Sequence, residues 1–310
     1  MKFNVEDLVA KGLVKKKTYT SGEFKGLSVL KYSNKVFWEN LWDQDSRLLD
    51  CRGMVVDSDD NIIVWPFTKI FNHLENGTDL PKDMVVNAAR KVNGFMAAVS
   101  SYNGELIVST TGTLDSDFAK LAKGMIMEEC TNLPMLLSCV EEPKTTFIFE
   151  ICAPSDPHIV PEKAGVYLIG VRFHKNKLTS MLSEKALDLI AKEFGFKRPE
   201  IYINMHFSDI LKMSKECKHE GFVVRAATGQ QDLLLKIKSP HYLAKKFLMR
   251  GGKNKWDMIW GNPEEAKKKV DEEYYNLLNY LRDNYSKEHW ECLHEQFRRE
   301  IIEDFFGGAI

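Results

Sequence analysis

Lys91 opens the stretch Lys91-Val92-Asn93-Gly94, just before an apolar run, Met96-Ala97-Ala98-Val99. A lysine attacks an electrophile only as the free amine. Its ordinary pKa of about 10.4 means that nearby cations or desolvation must lower it first. A glycine three residues on would let main chain approach a phosphate closely. Lys-x-x-Gly alone is too short to tell a nucleophile from a surface lysine that starts a strand. Three further stretches raise the same question. Glu150 sits between Phe149 and Ile151 in an apolar run, where it either points to solvent by alternation or accepts a hydrogen bond from a ligand hydroxyl. Glu220-Gly221 opens "EGFVVR", which is either an ordinary strand start or a carboxylate placed beside a metal ion. Lys236 and Lys238 alternate with Leu235 and Ile237, so both cations share one face of a strand and need an anion, such as a phosphate, or open water.

The elements that must position these residues are legible in the pattern. "GMVVD", "SDDN" and "IIVWPF" read as a hairpin, and "FMAAVSSYNGELIVST" as a second one with Asn103-Gly104 at its turn. Residues 114–130 have helical spacing. "TTFIFEICA" and "GVYLIGVRF" read as strands. "SEKALDLIAKEFG" reads as a helix with Ser183 as N-cap and Gly195 as stop. "EGFVVRA" and "DLLLKIKS" form two more strands around an "ATGQQ" loop. After Pro240 the strand pattern ends, and two long amphipathic helices are expected, "PEEAKKKVDEEYYNLLNYLRDNY" and "KEHWECLHEQFRREIIEDFF". The expected fold class is α+β. An antiparallel β-rich domain spans 1–240, and a small all-helical C-terminal domain spans 241–310.

Bulk properties narrow the classes. The 310 residues are 44% hydrophobic and 28% charged, with a net charge of −1, so nucleic acid would have to be bound by a local basic face. No apolar stretch approaches the length of a membrane span. The opening "MKFNVEDLVAKG" has no apolar core, so no secretory signal is expected. Six scattered cysteines without a Cys-x-x-Cys argue against structural zinc and for a reducing, cytoplasmic setting.

Taken in order, Lys-x-x-Gly, a strand Glu, Glu-Gly on a strand and Lys-x-Lys on its hairpin partner resemble the covalent nucleotidyltransferases. These comprise the ATP-dependent ligases and the messenger-RNA capping enzymes. Upstream, "CRGMVVD" and "KIFNHLEN" are similar to segments of the single-strand, tRNA-repair RNA ligases of large tailed phages. The resemblance covers roughly 50–240 and implies an ATP-grasp-like nucleotidyltransferase (adenylation) domain, with ATP and Mg²⁺ or Mn²⁺ as cofactors. By that resemblance Lys91 would attack the α-phosphate and carry AMP. Arg52 would contact the ribose or the phosphate of the RNA end, and Lys69 the leaving pyrophosphate. Glu150 would bind the ribose hydroxyl, and Glu220 would position the metal. Lys236 and Lys238 would grip the α-phosphate, while Phe71 and Gly94 would shape the pocket. Two departures stand out: Asn93 replaces the usual Asp, and Thr111 stands where a cation is expected, with Lys120 as a substitute. The adenine-stacking aromatic stays open between Phe173 and Tyr167.

The stretch from Lys236 to Lys255 carries seven cations and no acid. Lys245, Lys246, Arg250 and Lys253 are therefore candidate RNA contacts, with His241, Tyr242 and Phe247 as stacking partners for bases; the plain alternative is a helix whose aromatics pack inward. The expected partner is RNA with 5′-phosphate and 3′-hydroxyl ends, broken tRNA among them. No membrane and no obligate protein partner are expected, and the location would be the host cytoplasm if the chain is phage-encoded. Competing expectations are an inactive RNA-binding protein that kept the fold, a DNA ligase or capping enzyme, and an enzyme that attaches AMP to other proteins. The helical character after Pro240 disfavours the second, which usually appends an OB-type barrel there.

Overall fold

The computed structural model describes residues 1–142, 144–156, 158–174, 182–227, 232–250 and 254–309. Lys253 and positions 228–231 of the "ATGQQ" loop lie outside the described residues. Among the described residues there are thirteen strands: β1 (Val14–Thr18), β2 (Ser28–Tyr32), β3 (Arg52–Val56), β4 (Ile62–Val64), β5 (Phe71–Asn72), β6 (Val85–Arg90), β7 (Phe95–Tyr102), β8 (Glu105–Ser109), β9 (Thr145–Cys152), β10 (Gly165–Phe173), β11 (Ile201–His206), β12 (Gly221–Ala227) and β13 (Asp232–Lys238). The chain forms two compact units, each discontinuous in sequence. The first comprises Met1–Phe71, Val92–Ile201 and Ala226–Leu234. The second comprises Asn72–Lys91, Tyr202–Arg225 and Leu235–Ile310.

The first unit is built on two four-stranded sheets, β1-β2-β3-β4 and β10-β9-β7-β8. The expected β7–β8 hairpin is there, with both Asn103 and Gly104 at positive φ (53° and 77°), as a tight two-residue turn requires. Alternation along β7 and β9 sorts side chains to two faces. Ala97, Val99, Phe147, Phe149 and Ile151 pack against the helices Asp117–Glu129, Leu133–Glu141 and Glu184–Phe194 in one large apolar cluster. Each large side chain buried there contributes about 1.5–3 kcal/mol. The opposite face carries Met96, Ile148, Glu150 and Cys152. Ser116 and Ser183 cap their helices by accepting from Ala119 N–H and Ala186 N–H, and Gly195 ends the second of these helices at φ +79°.

The second unit carries most of the sheet β11-β6-β12-β13-β5 and the described helices after β13. Ser239 caps the helix Pro240–Met249 by accepting from Tyr242 N–H. Neither long C-terminal helix runs unbroken. The first divides into Pro263–Lys269, a 3-10 turn at Glu272–Tyr274 and Tyr275–Asn284. The second divides into Lys287–Cys292 and Glu295–Ala309. Val270 is extended (ψ 161°), and this break brings Asp271 and Glu273 to lysines of the same unit. Among the described residues no helix is long and apolar enough to cross a membrane.

Candidate nucleotidyl-transfer site

In the second unit, β6 pairs antiparallel with β12 in a register that sets Arg90 opposite Phe222. Lys91 therefore emerges beside the start of β12, where its N–H donates to the Gly221 carbonyl (2.8 Å). Its Nζ lies 3.0 Å from Glu220 Oε2, with the lysine side chain 20% exposed and the glutamate 4%. Cations are expected around a nucleophilic amine; the charge facing this one at 3.0 Å is instead a carboxylate. Gly221 has φ +132°, and a Cβ there would stand 1.9 Å from the Ile237 carbonyl oxygen, so close approach of β12 to β13 dictates the glycine of this motif. Glu220 is tied to the end of the same hairpin by its carbonyl, which accepts from Ser239 N–H (2.9 Å).

Leu235 and Ile237 are buried, and Lys236 and Lys238 occupy the other face of β13, as the alternation requires. Lys238 Nζ is ion-paired with Glu273 Oε2. Glu273 also receives Lys246 Nζ at 3.0 Å, and Lys246 has a second partner in Asp271 at 2.5 Å. Burial by itself would raise the Glu273 carboxyl, but Lys238 and Lys246 outweigh it and hold the group at about 2. Burial, reinforced by the Glu220 charge, pushes the Tyr242 phenol up to about 12.

These contacts change the reading of the basic stretch. Lys246 is 6% exposed and locked between two carboxylates, so it is a structural cation and not an RNA contact. Tyr242 and Phe247 are buried in the helix packing, which removes them as base-stacking residues, and His241 is held by Glu303 (3.0 Å). Lys245 is half-buried and Arg250 exposed.

In the first unit Glu150 lies on the face of β9 that turns away from the main core, while Lys69 and Phe71 lie with Trp42 and Phe37. Glu150 stands opposite Met96 on β7 and Tyr167 on β10. It is half-buried, and its Oε1 accepts from Gly94 N–H (3.1 Å). Arg52 Nη1 lies 3.7 Å from Met96 Sδ. A Cβ on Gly94 would stand 2.2 Å from the Ile151 carbonyl oxygen. Strand packing therefore already demands this glycine, in addition to any approach to phosphate. Asn93 is buried, and its side-chain oxygen accepts from Val160 N–H (3.2 Å), which anchors the loop after β9. Of the two aromatics left open for adenine, Tyr167 is the cross-strand neighbour of Glu150, whereas Phe173 pairs with Thr145 at the far end of β10. Lys69 Nζ sits over the rings of Trp42 (4.7 Å), Phe71 (4.8 Å) and Phe37 (5.6 Å). Trp42 and Phe37 carry no signal in the sequence, because nothing in a short motif points to rings supplied from 27 and more positions upstream. Thr111 is half-buried and Lys120 is exposed on its helix.

Among the described residues no three His, Cys, Asp or Glu side chains cluster as a metal site. Glu220, the buried carboxylate 3.0 Å from Lys91, suits Mg²⁺, which commonly takes one or two carboxylates and completes its shell with water and substrate phosphates.

Antiparallel sheets of this arrangement, followed by helices, are the nucleotidyltransferase fold of the ligases. Two solved forms of an archaeal ATP-dependent RNA ligase superpose on the chain with TM-score 0.59 at 14% identity, covering 98% of this chain and 76% of theirs. A candidate ATP-dependent DNA ligase of Aquifex aeolicus superposes with TM-score 0.58 at 17% identity, covering 97% and 77%. At such identities the likeness is one of fold. No curated protein sequence matches the chain. The family follows from sequence: a model described as RNA ligase matches residues 50–243, a span that includes every candidate from Arg52 to Lys238, and the chain belongs to that RNA ligase family.

Proposed function

We propose that this RNA ligase is ATP-dependent and joins RNA 3′-hydroxyl and 5′-phosphate ends through a lysyl-AMP intermediate on Lys91. The observation that carries the reading is the Lys91–Glu220 pair, a lysine amine 3.0 Å from a buried carboxylate at the start of a strand. In the first step Lys91 Nζ attacks the α-phosphorus of ATP. An N–P bond forms, the bond to the bridging oxygen breaks, and pyrophosphate leaves. The proton that the amine loses as this bond forms passes to solvent, and Glu220 orients the amine it faces. Such transfers depend on positioning and on neutralising charge. Lys236 and Lys238 supply cations for the α-phosphate, Lys69 for the leaving pyrophosphate, and Arg52 for the ribose or the RNA end. Glu150 accepts from the ribose hydroxyl, and Tyr167 beside it offers a ring to the adenine. A Mg²⁺ or Mn²⁺ ion held by Glu220 would supply further charge neutralisation at the phosphates. An RNA 5′-phosphate oxygen then attacks the AMP phosphorus and releases the lysine. Finally a 3′-hydroxyl oxygen attacks the 5′-phosphorus: a P–O bond forms, the P–O bond to AMP breaks, AMP leaves and the hydroxyl proton passes to solvent. Lys245 and Arg250 are the candidates for RNA backbone contact, and the helical segment 241–310 for the choice of RNA, with broken tRNA the first acceptor to try.

The test is transfer of label from α-labelled ATP to denatured protein, with Lys91→Ala alongside and intact mass read for AMP already bound. Label on wild type and none on the variant supports the chemistry, and sealing of 5′-phosphorylated RNA rather than DNA ends supports the acceptor. A wild type with neither label nor bound AMP sinks the reading and favours an RNA-binding protein. AMP found on other proteins instead of Lys91 favours a protein-modifying enzyme.

A further inference from the structure

Lys238 is anchored by a residue 35 positions further along the chain, on the far side of the helix break at Val270. Glu273 Oε2 takes Lys238 Nζ and the Asn72 side-chain amide (3.3 Å), and its Oε1 takes Lys246 (3.0 Å). Each of these neighbours is itself held. Asn72 donates from its main-chain N–H and its side-chain amide to Glu75, both at 2.7 Å, and Lys246 has Asp271 as its second carboxylate. All three side chains of the Lys238–Glu273–Lys246 trio are largely buried, at 13%, 10% and 8% exposure. A lysine has four rotatable side-chain bonds and about 2 kcal/mol of rotamer entropy to lose before its ammonium can meet a phosphate oxygen in one geometry. A buried carboxylate fixed by other partners removes that freedom in advance. The shared arrangement also lets Lys238 turn to a phosphate without stranding Glu273, because Lys246 remains to compensate it.

We infer that Glu273 is a positioning residue for Lys238, so that adenylation of Lys91, and not only the choice of RNA, depends on the helical segment after Pro240. The inference rests on the nucleotidyl-transfer reading given above. It is tested on the full chain by single-turnover labelling of Lys91 in wild type, Lys238→Ala, Glu273→Gln and the double variant, with the melting temperature of each. Glu273→Gln is expected to slow labelling by about 10- to 100-fold, the size of one lost charge-assisted hydrogen bond. In the Lys238→Ala background the same change is expected to cost nothing further, because its effect runs through that lysine. Glu273→Asp, which keeps the charge, should restore part of the rate, and it carries the same cycle if the glutamine variant does not fold. An unchanged rate in Glu273→Gln, or equal losses in both backgrounds, overturns the inference while leaving the chemistry at Lys91 intact. A wild type with neither label nor bound AMP overturns both.

Discussion

Rings stand over a lysine of the first unit, and carboxylates face lysines of the second. In the first, the rings of Trp42, Phe71 and Phe37 surround Lys69. In the second, Lys91 faces Glu220, and Lys238 and Lys246 share Glu273. Rings attract an ammonium through their quadrupole, for about 0.5–2 kcal/mol, and carry no proton that titrates. Buried carboxylates bind it more strongly, and removing one partner costs about 3–5 kcal/mol because a charge is left behind. The carboxylate-held lysines should therefore depend on the ionisation of their partners.

The largest effect is expected at the charged set. Lys91→Ala should reduce labelling by α-labelled ATP to background, and any label above background in that variant would remove Lys91 from its role. Gly221→Ala comes next, because a Cβ 1.9 Å from the Ile237 carbonyl forces β12 and β13 apart. A loss of about 100-fold in labelling, on the order of 3 kcal/mol, with a lower melting temperature is expected; a wild-type rate would break the close-approach argument. In the ring-held set, Trp42→Leu should raise the KM for ATP about 3- to 10-fold, from the loss of one cation–π contact. A larger effect on kcat than on KM would show that the cage does more than hold Lys69.

The pH behaviour separates the units further. Burial, with Lys144 and Arg172 adding to it, pushes His174 in the first unit down to about 4 from an ordinary 6.5. The folded chain keeps that ring neutral while the unfolded chain takes up the proton, so stability is lost as pH falls from about 6.5 toward 4. The Glu273 carboxyl, at about 2 against an ordinary 4.5, contributes stability that is full above 4.5 and is lost as pH falls toward 2. Melting temperature against pH should flatten between 6.5 and 4 in His174→Asn, and between 4.5 and 2 in Glu273→Gln. Superimposable curves for variant and wild type would refute the assignment. The smallest effect is expected at the exposed Arg250: its change to Ala should weaken RNA binding in all sequences alike and lower the slope of log affinity against log salt by about 1. An unchanged slope would place the RNA elsewhere.

Much of the fold and of the candidate site is written in local pattern. Period-two alternation in "TTFIFEICA" places Phe147, Phe149 and Ile151 on one face and Glu150 on the other, and the same rule places Lys236 and Lys238 together. Ser183 and Gly195 bound their helix because a hydroxyl acceptor and a left-handed stop are local chemistry. The helix Leu133–Glu141 and the strand β11 are absent from the sequence-based expectations. The first is short, and the second has no fully buried side chain, so neither leaves a clear hydrophobic period.

What the sequence determined on its own is what neighbours along the chain determine: strand, turn and cap, the face of each side chain, and the order of motifs that marks the family. Tertiary structure alone decided the partners. The run from Lys236 to Lys255 contains no acid, yet Lys246 is buried between Asp271 and Glu273. The glycines at 94 and 221, whose motifs suggest room for phosphate or metal, are set by carbonyl oxygens of neighbouring strands. The physical reason is the same in each case. Burial and charge compensation are properties of what lies within a few ångströms in space, and the groups that come that close are tens of residues apart in the chain.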